Sequence, residues 1–310
     1  MNFSFLKELI EIRGASGDES RIKNFIVDYV NKHKKDWAVE PKIIEGKGFQ
    51  DTLVLIFGDK PTTAIFAHTD TIGYMIGYDN NLIKIGGPRA IDGMELVGSD
   101  SQGAINTELM VIEQEEGPAI LKAVFDRTIE RGTVLTFKPN FREDNNYIVS
   151  PYMDNRLGVF VALEVAKTMK NGAIAFSTYE ETGGGSVGFI GKFLFEEYGI
   201  HQALISDITW VTNGVTHGDG VAISMRDKGI PRRLFLNRII DIAKYSRIPY
   251  QLEVESAGGS DGTALQHSDL PFDWCFIGAA EDNVHSPDET VHKDDIRAMI
   301  DFYKVLMEEL

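Results

Sequence analysis

The feature that most restricts the fold of this chain is a change of period in its middle. From about Ile72 to Ile148 the apolar residues follow no helical repeat. Short runs rich in β-branched and aromatic residues take over: GYMIGYDNN, LIKIGG, ELMVIE, AILKAVF and GTVLTFKPN. Asn80-Asn81, Gly86-Gly87-Pro88 and Gly117-Pro118 separate them, as turns require. Residues 72–148 therefore read as a small all-β domain set inside something else.

The flanks differ. MNFSFLKELIEIRG puts Phe3, Leu6, Leu9 and Ile10 on one face of a short helix ending at Gly14. A second helix opens at Ser16 or Asp18 and carries Ile22, Phe25, Ile26, Tyr29 and Val30 at helical spacing. TLVLIFG and TAIFAHTD read as buried strands. After Asp154 helical runs (DNRLGVFVALEVAKTMK, SVGFIGKFLFEEYG, PRRLFLNRIIDIAKYSR) alternate with strand-like ones (GAIAFSTYE, QALISDIT, VAISMRD, YQLEVES, FDWCFIGA), and KDDIRAMIDFYKVLMEEL closes the chain as a helix. The expectation is a mixed-sheet α/β/α sandwich built from residues 1–71 and 149–310, interrupted by the β insertion.

Charge narrows the function. The formal net charge is −16 over 310 residues. Nucleic-acid binding needs clustered Lys and Arg, and an anionic membrane attracts basic segments, so neither partner is expected. The single cysteine, Cys275, lies in an apolar run and reads as a small core residue. The amphipathic N-terminus carries charges through its middle and no run reaches about 18 apolar residues, so the expected compartment is the cytoplasm.

Histidines and acids fall where an α/β sheet places its sites, at carboxyl ends of strands and in the loops beyond. His68 and Asp70 end AIFAHTD, Glu180 and Glu181 follow AIAFSTY, Asp207 ends ALISD, His285 follows FDWCFIG, and Asp154 opens a helix. Each acid taken alone reads as a solvated cap. Together they would crowd one crevice with like charges, which cannot all ionise without compensation. A pair of divalent cations compensates them, and mixed imidazole and carboxylate ligands suit zinc, cobalt or manganese.

The chain resembles the glutamyl aminopeptidase and tetrahedral aminopeptidase group of two-metal peptidases. The resemblance rests on GASGDES, AHTDTIGYM, the all-β insertion, MDNRLG, YEETG, SD at a strand end, GGSDG and VHSPDE, in the family's order along almost the whole chain. It implies peptide substrates, two divalent metal ions, zinc foremost, and a homo-oligomer from dimer up to dodecamer. It implies that Asp154 bridges the metals, with His68 and Asp207 completing one site and Glu181 and His285 the other. By the same resemblance Asp70 orients the His68 ring, Glu180 is the general base, and Gly259 and Asp261 lie near the substrate. The chemistry suits those types: paired metals polarise a carbonyl and acidify a water, and an unligated carboxylate moves the proton.

Departures from the family bear on specificity. TGGGSVG follows the Glu pair, AAEDNVHSPDE replaces the usual Arg-Tyr before the last histidine, and Gly262 stands where alanine is common. Glu281 and Asp282 point to basic or neutral N-terminal residues. Two other motifs compete. Gly183, Gly185 and Gly188 fit a dinucleotide fingerprint, but Glu180 and Glu181 just before it would repel a pyrophosphate. Gly258, Ser260 and Gly262 fit a nucleophile elbow, which would make a serine hydrolase, but the short span to His285 leaves no room for the hydrolase sheet. The nearer rival is a two-metal deacylase or amidohydrolase acting on acylated amines.

Overall fold

The computed structural model describes residues 1–310. The chain opens with α1 (Ser4–Glu11) and α2 (Ser20–His33), followed by β1 (Lys42–Ile44), β2 (Leu53–Phe57) and β3 (Thr63–His68). The segment without helical period then forms β4 (Gly73–Ile76), β5 (Leu82–Ile85), β6 (Glu95–Asp100), β7 (Gly103–Ile112), β8 (Ile120–Val124) and β9 (Val134–Phe137). Next come β10 (Arg142–Glu143), β11 (Tyr147–Val149), α3 (Met153–Ala166), β12 (Gly172–Ser177), α4 (Val187–Tyr198), β13 (Gln202–Trp210) and β14 (Val221–Arg226). The chain finishes with α5 (Arg233–Ser246), β15 (Tyr250–Val254), α6 (Asp261–Gln266), β16 (Asp273–Asp282), β17 (Thr290–His292) and α7 (Lys293–Glu309).

These strands make two sheets. One has 11 strands with the spine β1-β2-β12-β3-β13-β16-β17-β11-β10, and β14 and β15 branch from β16. The other has six strands in the order β5-β4-β9-β6-β7-β8, all antiparallel. In the large sheet β12, β3, β13 and β16 run parallel, so their carboxyl ends open on one side.

Alternation along the strands divides the core into two layers. Leu53, Leu55, Ile65, Leu204, Cys275 and Ile277 face α1, α3, α5 and α7 in the larger apolar cluster. Val54, Ile56, Phe66, Ala203, Ile205 and Phe276 face α4 and α6 in a second. Helices on both faces of a mixed sheet make the expected α/β/α sandwich. The central helix α3 is buried almost throughout and approaches β13 at Gly158, where an added Cβ would lie 2.1 Å from the Ser206 carbonyl oxygen. No helix is long and apolar enough to cross a membrane.

Several local expectations shift. The first helix ends at Glu11 rather than Gly14, and the second begins at Ser20. β13 runs on to Trp210, which puts Asp207 inside a strand rather than at its end. β6 was hidden by the polar Gly98-Ser99-Asp100, and α6 by the glycines around it.

Candidate metal centre

The site is assembled from the carboxyl edge of the large sheet. His68 is the last residue of β3 and pairs in register with Ser177 at the end of β12, so the turn beyond Ser177 carries Glu180 and Glu181 beside it. Asp207 comes from the neighbouring strand β13, Asp154 from the first turn of α3, and His285 from the loop after β16.

Two triads result. His68, Asp154 and Asp207 form one, and Asp154, Glu181 and His285 the other, with one ligating atom from each residue within 4.8 Å of the rest. Asp154 belongs to both and turns a different oxygen to each. His68 Nε2 lies 3.1 Å from Asp154 Oδ1 and 3.5 Å from Asp207 Oδ2. His285 Nε2 lies 3.4 Å from Asp154 Oδ2 and 3.2 Å from Glu181 Oε2.

Both imidazoles present the same nitrogen. His68 Nδ1 lies 3.1 Å from the Asp70 carbonyl oxygen, and His285 Nδ1 lies 3.2 Å from that of Gly87. A carbonyl only accepts, so each Nδ1 carries a proton and Nε2 is the nitrogen left to take a cation, whether a proton or a metal ion. The Gly87 contact comes from the β5–β6 loop, so the antiparallel sheet reaches the site directly. Gly87 has to be small, because a Cβ there would stand 3.0 Å from His285 Nδ1.

Two further carboxylates hold the backbone. Asp70, fully buried, accepts the amides of Glu180 and Glu181, each at 3.1 Å, and the Ser16 hydroxyl at 2.6 Å. Its Oδ1 is 3.5 Å from His68 Nδ1, farther than its own carbonyl, so the ring is steered mainly by the Asp70 backbone. Glu289, also fully buried, accepts the amides of His285 at 3.0 Å and Asp154 at 3.3 Å.

Electrostatics test whether cations fit. Burial pushes the Glu181 carboxyl up to about 7, helped by the Asp154 charge, and raises Asp207 as well. Glu180 is driven well above the usual carboxylate range, chiefly by burial. Burial opposes charging of the imidazoles, yet Asp154 and Glu181 raise His285 to about 11, while Asp207 and Asp154 raise His68. The residues thus pull positive charge from whatever source exists. Glu181 Oε1 is buried with no hydrogen-bond partner. An oxygen- and nitrogen-rich donor set with an orphaned carboxylate oxygen and excess negative charge fits divalent cations.

The centre opens into a cleft of about 910 Å³ whose lining includes Asp154, Glu180, Glu181, Asp207 and His285. The sequence model of the M42 glutamyl aminopeptidases matches residues 99–302. The chain belongs to that family. Similar solved structures include an aminopeptidase from the archaeon Desulfurococcus kamchatkensis, at 22% identity and a TM-score of 0.84, covering 99% of this chain and 94% of that one. A TET aminopeptidase from a marine-sediment thaumarchaeon has 17% identity and a TM-score of 0.85, over 99% and 96% of the two chains. The TET1 peptidase of Pyrococcus horikoshii, described as assembling into a tetrahedron or a large octahedral shell, has 22% identity and a TM-score of 0.80 over 99% of both chains.

This M42 member treats the remaining expected residues unequally. Gly259 lines the cleft. Asp261 is buried, its carboxylate accepts the Ser177 hydroxyl, and it is not among the residues that line the cleft. Ser260 donates to Asp227 at 3.1 Å and caps α6 through the Gly262 amide, so its hydroxyl is occupied structurally and no histidine bonds it. Glu289 went unassigned in the sequence because its partners are backbone amides, which leave no residue-type pattern to read.

Proposed function

We propose that this metal-dependent aminopeptidase binds two divalent ions, zinc foremost with cobalt or manganese as substitutes, and removes N-terminal residues from peptides. One observation carries the reading: Asp154 faces separate triads with its two oxygens, the arrangement a bridging carboxylate needs. His68 and Asp207 hold one ion and Glu181 and His285 the other. Bound there, such a pair would polarise the scissile carbonyl and acidify the attacking water.

The chain's own residues do the rest. Glu180 lines the cleft beside the Glu181 ligand but is held by Asp70 only through its amide, so its carboxyl is free to act. With its affinity for a proton raised by burial, it takes the water's proton and delivers it to the leaving nitrogen. Gly259 leaves room for substrate backbone along the wall. Residues 1–71 and 149–310 form the catalytic domain, and residues 72–148 an inserted domain for assembly and access. A homo-oligomer is in keeping with the assemblies described for the P. horikoshii relative. The lone, buried Cys275 is in keeping with the cytoplasm.

Metal analysis beside a panel of aminoacyl chromogenic substrates and N-acetylated controls tests the reading. Two ions per chain and turnover of free-amine substrates only are expected; hydrolysis of the blocked controls favours the deacylase. Glu180→Gln should retain both ions and lose roughly 10²–10⁴-fold in kcat, the range for a general base. Activity near wild type in that variant would remove Glu180 from the mechanism.

A further inference from the structure

An aminopeptidase cleft must lodge the side chain of the residue it removes. Beyond the metal centre, one wall of this cleft carries Asp227, Glu253 and Glu255. We propose that Glu253 and Asp227, with Glu255 at the rim, form a subsite for the cationic side chain of an N-terminal lysine or arginine, a proposal that rests on the aminopeptidase reading of the same cleft.

Strand geometry sets the distance. Thr209 follows Asp207 by two residues on β13, so both side chains leave the same face of the sheet. The Thr209 hydroxyl donates to Glu253 on β15, which places the Glu253 carboxylate about one strand repeat, roughly 7 Å, from the Asp207 position. An extended lysine side chain spans roughly 6 Å from Cα to Nζ. A substrate whose α-carbon sits at the metals would therefore put its ammonium beside Glu253. Phe276 lies on the same face and lines the cleft, offering an apolar surface for the alkyl stem.

The two acids have hydroxyl and amide partners and no ion pair; the neighbouring Arg226, whose charge reaches Asp227, donates to the Glu255 carbonyl instead. Glu253, 2% exposed, receives the Thr209 hydroxyl, and Asp227, 8% exposed, receives the Ser260 hydroxyl and the Gly229 amide. Ser224 faces Glu253 across the β14–β15 ladder and turns its buried hydroxyl toward the same carboxylate. The cleft's own lysine and arginine, Lys228 and Arg89, are exposed to solvent. Burial lifts both carboxyls above their ordinary range. Carboxylates withdrawn from water without a counter-charge are costly, and a bound ammonium or guanidinium offsets that cost, whereas an N-terminal Glu or Asp adds to it.

The acids singled out in the sequence are placed differently. Glu281 stands in register with Trp210 on the α3-facing side of the sheet and lines the cleft beside Asp154 and Glu289, with both carboxylate oxygens buried and unpartnered. Asp282 is exposed and engages His217 at 3.2 Å. Glu281 and Asp282 thus belong to the metal-centre side of the cleft, and the proposed recognition of a basic side chain lies with the acids of β15 and of the segment after β14.

The test uses the metal-loaded wild-type enzyme with Lys, Arg, norleucine, Leu and Glu aminoacyl substrates. Norleucine keeps the lysine stem without the charge. Lys and Arg should exceed norleucine by about 10²-fold in kcat/KM, because a buried acid left unpaired rejects the neutral analogue. Glu253→Gln and Asp227→Asn should each cut the Lys and Arg values far more than the norleucine value, so that the preference shrinks to within about tenfold. Calorimetric binding of lysinamide and norleucinamide to the wild-type enzyme gives a second readout that needs no variant to fold; lysinamide should bind more tightly. Equal or better use of norleucine, Leu or Glu, or no advantage for lysinamide, overturns the subsite while leaving the aminopeptidase reading intact. If none of the five substrates is cleaved, the aminopeptidase reading fails, and the amide titration alone then decides whether the wall prefers a cation.

Discussion

At the scale of single residues, the centre is held from behind by two carboxylates that grip backbone rather than side chains. Asp70 fixes the amides of Glu180 and Glu181, and Glu289 fixes those of Asp154 and His285. Glu289, 135 residues along the chain from Asp154, therefore ties that shared acid to the histidine of the second triad. Glu289→Ala leaves two buried amides without acceptors, and metal affinity should fall by about 10–100-fold, as for other residues that orient ligands from behind. Gln restores one acceptor oxygen and should recover part of the loss. Competition against a graded set of chelators measures it, and an unchanged affinity in the Ala variant would remove Glu289 from the positioning role. The five proposed ligands could be listed from the sequence because imidazoles and carboxylates gathered at strand ends form a visible pattern. Glu289 and Glu253 could not, since one acts on amides and the other depends on which face of β15 meets Thr209.

At the scale of elements, the N-terminal helices are fastened to the site by charges that the hydrophobic pattern does not reveal. Arg156 of α3 is fully buried and donates to the carbonyls of Leu9 at 3.1 Å, Ile12 at 3.1 Å and Thr69. It satisfies acceptors at the frayed end of α1 and joins them to the loop after His68. Burial lowers its guanidinium to about 10, still charged at neutral pH. Arg156→Met should lose roughly 3 kcal/mol, as orphaned buried acceptors do. A denaturation midpoint shifted at constant m-value is the expected result; a midpoint equal to wild type would show the carbonyls to be satisfied otherwise. Ahead of α2, Glu19 accepts the Gly17 amide at 2.9 Å, and burial raises its carboxyl from 4.5 to about 7. A raised folded pKa means the folded state binds the proton more tightly than the unfolded chain. The associated stability is present below about pH 4.5 and is lost as pH rises through 7. Gln keeps the acceptor and cannot ionise. Glu19→Gln should therefore match wild type in acid and become progressively more stable than it between pH 4.5 and 7. Melting curves of the pair across that interval check the sign, and a constant difference would contradict it.

At the scale of the whole molecule, neither sheet was fully legible: β1, β10, β11 and β17 of the large one are only two or three residues long, too short to carry a period. The centre of the large sheet announced itself through β2 and β3, whose residues are buried without exception. The antiparallel sheet is buried on one side only, and its other side is unusually apolar. Met110 and Ile112 alternate on β7, Ile120 pairs directly with Ile112 across the ladder, and Val124 pairs with Glu108. Met110, Ile112, Ile120 and Val124 thus share one face at the edge of the six-stranded sheet, each more than a third exposed. Lys122 and Glu108 share that face opposite Met110 and Val124, so the apolar part is a cluster with charges beside it. Such a cluster on a hairpin suits an interface between copies and is a liability on an isolated chain. If residues 72–148 serve assembly, placing charge there should break it without touching the metals. Ile112→Asp combined with Ile120→Lys keeps an attractive cross-strand pair within the hairpin but puts charges on that face that packing against another copy would strip of water. Sedimentation velocity should show the wild type as an oligomer and the double variant shifted to smaller species, with both metal ions retained. A double variant that sediments as wild type does, or a wild type that is monomeric, would place assembly elsewhere or dispense with it.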